Sequence, residues 1–206
     1  GLMGQVDLAL NDFYFSIISN NIARFSSASF VFIVGDIFSR QNIGDREFQS
    51  RHSRFNSIFN AFNSPSPPLL VNLTGNHDIG YGNEFGKRRV QRWENAFGPV
   101  NQILRSADND HLLVIVNSQN IDSAKDLELA ENTHQHLVEA IQQRDVMLGQ
   151  NSGKGGIILI KHIPLHKEAG NCVDAPLIKK DRFGHVKEQN FISENSTQWI
   201  LESLRP

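Results

Sequence analysis

Four side chains in this sequence are of the kinds that hold divalent cations and move protons at a phosphate ester: Asp36, Asn76, His77 and His162. Each closely follows an apolar run. Phe30-Val31-Phe32-Ile33-Val34 opens into Gly35-Asp36, and 69–73 runs into Thr74-Gly75-Asn76-His77-Asp78. Ile157-Ile158-Leu159-Ile160 leads to Lys161-His162-Ile163-Pro164-Leu165. In open α/β sheets, ligands bind beyond the carboxyl ends of the strands, which is where all four residues would fall. A carboxylate can bridge two cations, while an amide oxygen and a neutral imidazole suit one borderline cation such as manganese, iron or zinc. Two cations held close together clamp the oxygens of a phosphate for in-line attack. A histidine beside the metal-bound amide can protonate the leaving oxygen. Taken singly, each residue has a commoner use. An Asp after a strand usually caps a helix or closes a turn, and Asn-His-Asp stabilises turns. The signal lies in three strand ends delivering such groups in one chain.

The elements that must position them follow from apolar periodicity. Helical spacing predicts an amphipathic helix over 6–25. The continuous run over 30–34 predicts a strand covered on both faces. A helix over 45–62 gathers Phe48, Phe55, Ile58, Phe59 and Phe62 on one side as core, and the proline-rich stretch 64–68 stops it. A strand over 69–73 follows, then a basic helix over 84–97 closed by Gly98-Pro99. A strand over 112–116 is expected to pair with a short one near Ile103. A long polar helix spans 123–148, with Ser123 as its cap. After a glycine-rich loop over 149–156 come a strand over 157–160, a polar irregular loop over 166–190 and a closing helix over 193–204. Strands alternating with helices predict an α/β layered sheet.

Bulk properties narrow the function. A chain of 206 residues builds one good core and not two comfortable domains. A net charge of −2 gives no basic field for nucleic acid. No apolar run approaches the roughly 20 residues of a membrane span, and 1–4 lacks the basic and apolar regions of a signal peptide. Cys172, the single cysteine, makes no disulfide framework within the chain and no cysteine zinc site. Asn195-Ser196-Thr197 is a glycosylation sequon, consistent with a lumenal setting; Asn72-Leu73-Thr74 falls in an expected buried strand. Lys87, Arg88, Arg89 and Arg92 read as a solvated helix face that could also meet anionic headgroups. His134 and His136, two apart in a helix, point to different faces and cannot chelate together. The chain starts at Gly1 and stops at Pro206 straight after a helix-like segment, so it reads as a fragment.

Gly35-Asp36, Gly75-Asn76-His77-Asp78 and His162-Ile163-Pro164-Leu165 resemble the middle motifs of the calcineurin-like metallophosphoesterases. Asn76-His77-Asp78-Ile79-Gly80 before a basic helix ending in Phe97, with Asn117-Ser118 and Asn171-Cys172, is similar to the eukaryotic secretory-pathway branch that includes the GPI-anchor remodelling phosphodiesterase. The resemblance implies a four-layer α/β/β/α sandwich, truncated at both ends, as a single domain over 1–206. It implies a phosphoric ester or diester hydrolase that removes ethanolamine phosphate from a GPI mannose. Two divalent metal ions, manganese first with iron or zinc as alternatives, would be its cofactors. By the same resemblance Asp36 would bridge the metals, Asn76 and His162 would hold the second metal, and His77 would act as general acid or charge stabiliser. Arg40, where related protein phosphatases keep an arginine, would reach a substrate phosphate. The expected substrate is a phosphodiester or glycolipid, at the endoplasmic reticulum or Golgi membrane with the catalytic domain lumenal. Membrane association would come through segments outside this chain, with no nucleic acid and no oligomer implied.

The sequence departs from the family in three places. The Asp-x-His or Asp-x-Gln motif of the first strand and the late Gly-His-x-His motif are absent, and both are expected just beyond the termini. The 206-residue chain alone is therefore expected to bind metal poorly and to be inactive. Ser39 stands where the family usually places an acid that orients the Asn-His histidine, so either another residue, Asp78 or Asp45, orients His77 or catalysis is weakened. Two rival functions remain: a non-catalytic binding module on a decayed metallophosphoesterase fold, and a protein phosphatase. The second fits less well, because that group usually carries Glu where Asp78 stands.

Overall fold

Alternating runs of β-branched and helix-forming residues produce a mixed α/β chain. A computed structural model describes residues 1–63, 68–82, 84, 86–122, 126–150, 155–171, 173 and 177–205. The expected cap Ser123, the expected helix stop at 64–67, Cys172 and much of the glycine-rich loop lie outside the described residues. Contacts divide the chain into two units, Gly1–Ile33 with Asn42–Val71, and Val34–Gln41 with Asn72–Pro206.

The first unit holds α1 (Leu2–Phe25), β1 (Phe30–Ile33), α2 (Asp45–Ile58), a 3-10 turn (Asn60–Phe62) and β2, which runs over Leu69–Asn72. β1 and β2 pair in a two-stranded sheet, joined at the start by Leu69 N–H donating to Ser29 O at 3.0 Å. Phe48, Phe55 and Phe62 are buried, as their spacing predicts. Two expectations fail here. β1 is half-buried along its length and not covered on both faces. α1 is not amphipathic: Leu2, Leu10, Phe13 and Phe25 are all exposed, and its one buried residue is Ser19. Apolar residues fill the positions between the helical repeats as well, so no single face collects them. Local bonds tie α1 to α2 instead. Ser19 Oγ donates to Ile58 O at 3.0 Å, and Arg54 Nε donates to Asp12 Oδ2 at 2.7 Å.

The second unit is built on β4 (His111–Val116), which pairs antiparallel with β3 (Gln102–Arg105) and parallel with β5 (Gly156–Lys161). Parallel neighbours need a long crossover, and α5 (Leu127–Gln150) supplies it. β4 reads Leu-Leu-Val-Ile-Val after its first residue, and those five are all buried. Leu112, Val114 and Val116, on one face of the strand, pack with Leu137, Ala140 and Met147 of α5 and with Ile192 and Ile200. A smaller cluster joins Ile79, Val90, Trp93 and Val100. It rests on α4, which begins at Lys87 and not at Glu84 (Lys87–Phe97).

The stretch read as irregular contains a hairpin, β6 (Ile178–Lys180) and β7 (Val186–Gln189). Asp181 closes its turn, its Oδ1 accepting the N–H of Phe183 at 2.8 Å and of His185 at 3.0 Å. Gly184, at φ +85°, supplies the left-handed residue such turns need. Closing the chain, α6 (Glu194–Leu204) is capped by Ser193. Asp122 anchors that cap: its carboxylate accepts Ser193 N–H at 2.7 Å, Ser193 Oγ and Ser196 Oγ each at 2.6 Å, and Gln189 Nε2 at 3.2 Å. Asp122→Ala strands four donors and weakens the cap, so an urea titration is expected to show a loss of about 2–4 kcal/mol. A change within 0.5 kcal/mol would show that water replaces the carboxylate at no cost.

Candidate metal centre

Loops leaving three apolar strands meet in the second unit. After β1 the chain turns through Gly35, at φ +88°, and Asp36, at φ +54°. A left-handed backbone costs an ordinary residue about 1–2 kcal/mol, and Asp and Asn bear it best. After β2 the chain passes Gly75 into α3, a single helical turn over Asn76–Ile79. The two glycines let the loops touch. A Cβ on Gly75 would sit 2.1 Å from Asp36 Oδ1, and one on Gly35 would sit 2.6 Å from His162 Nδ1 and 2.8 Å from Gly75 N.

Asp78 locks the loops from beneath. Its Oδ1 accepts Phe38 N–H and its Oδ2 accepts Gly75 N–H, each at 2.8 Å. Both oxygens are thereby used on backbone, so Asp78 does not orient His77; that expectation is corrected. Asp45 lies in the other unit, at the start of α2. Burial pushes the Asp78 carboxyl up to about 7, against the lowering effect of the backbone N–H groups of Phe38, Gly75 and Ile37; the nearby Asp36 charge adds to the rise.

Three donor atoms then face one another. His162 Nδ1 lies 2.7 Å from Val34 O, an atom that only accepts, so Nδ1 carries the proton. In the neutral ring, Nε2 is left with a bare lone pair. It points at Asn76 Oδ1, 3.1 Å away, and Asp36 Oδ1, 3.5 Å away. Asp36 Oδ1 also accepts His77 N–H at 3.0 Å. Lone pairs from a carboxylate, an amide oxygen and an imidazole repel unless a positive charge lies among them. A second proton on His162 would serve, and so would a divalent cation, for which this donor set is well suited. Among the described residues no group of three or more His, Cys, Asp and Glu could hold a metal. The amide oxygen of Asn76 is what makes the third donor.

His77 sits beside this centre with its ring edge-on to Tyr81, centroids 5.8 Å apart at 77°. Asp36, Asn76, His77 and His162 all line one cavity of about 320 Å³. Tyr81, Ile163, Pro164, Leu177, Glu188, Gln189 and Asn190 complete its described wall. Sequence reasoning missed this second group. Glu188, Gln189 and Asn190 belong to the hairpin or follow it, and only their alternation with Val186 hints at a strand. Arg40 is exposed and is not among the residues lining the cavity. Ser39 is also exposed.

Buried polar groups hold the three loops in register. Ser118 Oγ accepts Ile163 N–H at 2.8 Å, fixing the turn that carries His162. Gln119 Nε2 donates to Thr74 O at 2.8 Å, fixing the approach to Asn76. Both follow β4, so the central strand of the sheet sets the positions of both loops. Burial also pushes the Lys161 amine down to about 8, partly offset by Asp122.

No family model matches the chain. Curated relatives do. It is 28% identical over 240 residues to "Uncharacterized protein C23A1.02c" of Schizosaccharomyces pombe, covering 98% of this chain and 54% of that protein. To "Protein TED1" of Saccharomyces cerevisiae it is 22% identical, covering 98% of this chain and 56% of the relative. To "Metallophosphoesterase 1" of Danio rerio it is 26% identical over 190 residues, covering 85% of this chain and 49% of the relative. The chain spans about half the length of these relatives. The likeness supports the metallophosphoesterase superfamily, whose members are phosphoric ester hydrolases that use divalent metals. The described elements are mixed α/β, as such a relative would require. No described helix is long and apolar enough to cross a membrane.

Proposed function

We propose that this chain is a single metallophosphoesterase domain that hydrolyses a phosphodiester with divalent metal ions, manganese first. Its main support is the convergence of Asp36 Oδ1, Asn76 Oδ1 and His162 Nε2, with His162 Nε2 left bare by the bond at Nδ1. Asp36 would be shared between cations, and Asn76 and His162 would hold one of them. Bound divalent cations supply the Lewis acidity that neutralises phosphate charge and activates the attacking water.

The chain's own residues account for the rest. His77, at the rim of the same cavity, donates a proton to the leaving oxygen. Its backbone N–H, bonded to Asp36 Oδ1, keeps that side chain next to the carboxylate. Asp78 is spent on holding the loops together and takes no part in proton transfer. The substrate is proposed to be an ethanolamine phosphate on a glycolipid anchor, met at the endoplasmic reticulum or Golgi membrane. In that setting the fold would be the four-layer α/β/β/α sandwich of the superfamily.

The test uses the full-length protein, freed of metal by a chelator and titrated with Mn²⁺. Bis(4-nitrophenyl) phosphate serves as the diester and 4-nitrophenyl phosphate as the monoester. Turnover of the diester should appear only with metal, and His162→Ala should weaken Mn²⁺ binding roughly 10–100-fold. Metal uptake without turnover of either ester would favour a binding module instead. A preference for the monoester and for phosphopeptides would favour a protein phosphatase.

A further inference from the structure

A cavity that receives a phosphodiester gains nothing from a carboxylate on its wall, because like charges repel. Glu188 nevertheless lines the cavity that holds Asp36, Asn76, His77 and His162. Among the described lining residues no lysine or arginine offsets that charge. The neighbours of Glu188 are committed elsewhere. Gln189 is buried and its Nε2 donates to Asp122 Oδ2 at 3.2 Å, while Asn190 Oδ1 accepts Leu177 N–H at 2.7 Å. Glu188 Oε2 accepts Nζ of Lys179, its cross-strand neighbour, at 2.7 Å. Both side chains of that pair are open to water, Lys179 at 53% and Glu188 at 45%. An ion pair so exposed is weak and exchanges its partner readily.

A carboxylate beside a phosphate site is favourable when the incoming molecule carries a cation of its own. The wall also selects the kind of cation. A trimethylammonium group is held by the faces of Trp, Tyr or Phe rings. The described wall has one such ring, Tyr81, and it lies edge-on to His77. A primary ammonium asks instead for acceptors of its N–H groups. The Glu188 carboxylate supplies them, as it already does for Lys179.

We infer that Glu188 is the specificity-determining residue of this cavity: its carboxylate accepts the N–H groups of a primary ammonium carried on one ester arm of the phosphodiester, and Lys179 is displaced as it does so. This rests on the metallophosphoesterase reading and assigns the choice of ester to one side chain. The ion pair with Lys179 makes the assignment separable from a structural role. If Glu188 only clasps the hairpin, losing either partner has the same effect; if it reads the substrate, the two losses act in opposite directions.

Full-length wild-type, Glu188→Gln and Lys179→Met proteins, loaded with Mn²⁺, are given diesters of 4-nitrophenyl phosphate whose second arm is aminoethyl, ethyl or trimethylammonioethyl. Wild type should favour the aminoethyl over the ethyl diester by about tenfold in kcat/KM, a preference the trimethylammonium diester should not share. Glu188→Gln should erase it. Lys179→Met should raise it about threefold, because the carboxylate loses its competitor. The affinity for ethanolamine phosphate relative to ethyl phosphate, measured by calorimetry without turnover, should move in step. Equal use of the aminoethyl and ethyl diesters, a preference that survives in Glu188→Gln, or a fall of the same size in both variants overturns the inference alone. So does a trimethylammonium diester used as well as the aminoethyl one. A wild-type protein that hydrolyses none of these diesters with Mn²⁺ overturns it together with the reading on which it rests.

Discussion

Asp36→Asn is expected to lower diester turnover by about 10³-fold while leaving the melting temperature within a few degrees of wild type. The substitution isolates charge from shape. Asp36 sits at φ +54°, and asparagine tolerates that conformation about as well as aspartate does. The amide oxygen of the variant can still accept His77 N–H, which the carboxylate accepts at 3.0 Å. What is lost is the negative charge that, under the proposed function, cations would share. Removing several kcal/mol of charge stabilisation, about 4, corresponds to roughly 10³ in rate. Alanine at the same position would confound the result, since it adds about 1–2 kcal/mol of backbone strain. Turnover within tenfold of wild type, measured on bis(4-nitrophenyl) phosphate at saturating Mn²⁺, would remove Asp36 from the centre.

Asp78 gives the second large effect, on stability. Its carboxyl is held near 7 by burial, against an ordinary value of about 3.9. A raised folded-state value means the fold prefers the neutral form. That contribution is complete below about pH 4 and is lost as pH rises through about 7, for a total of up to about 4 kcal/mol. Asp78→Asn does not titrate. It also places an NH₂ against one of the two N–H groups that Asp78 accepts, from Phe38 and Gly75. In metal-free protein the variant is expected to be less stable by about 3 kcal/mol at pH 5. The gap should narrow by about 2.5 kcal/mol on going to pH 8. Urea titrations at both pH values check this. A gap that stays constant would show that Asp78 is ionised throughout.

Strand ends were legible in the sequence because each is a short apolar run followed at once by a turn residue and a chemically useful side chain. Asp36, Asn76, His77 and His162 come from such ends, and the structure places them on one cavity. The pairing near Ile103 and the strand before His162 could also be read, although the parallel pairing of that strand with β4 could not. Other features depend on contacts that local pattern does not encode. The hairpin holding Glu188 is polar on most positions, so its alternation was masked. Tyr81 lies only four residues beyond His77, but its edge-on contact with that ring depends on how the chain turns after Gly80. Asp78 follows His77 directly, yet its carboxylate is spent on Phe38 and Gly75 backbone. Counting apolar residues at helical spacing misread α1, because Leu10, Phe13, Tyr14 and Phe15 are apolar and exposed too.

The cavity draws its two sides from separate stretches of chain. The groups assigned to cations and proton transfer lie on turns after β1, β2 and β5, whereas Glu188, Gln189 and Asn190 come from β7 and its exit. Under the proposed function, reactivity and appetite would be inherited through different segments, and a transplanted β6–β7 finger is expected to change which ester is accepted while the residues proposed to cut it stay in place.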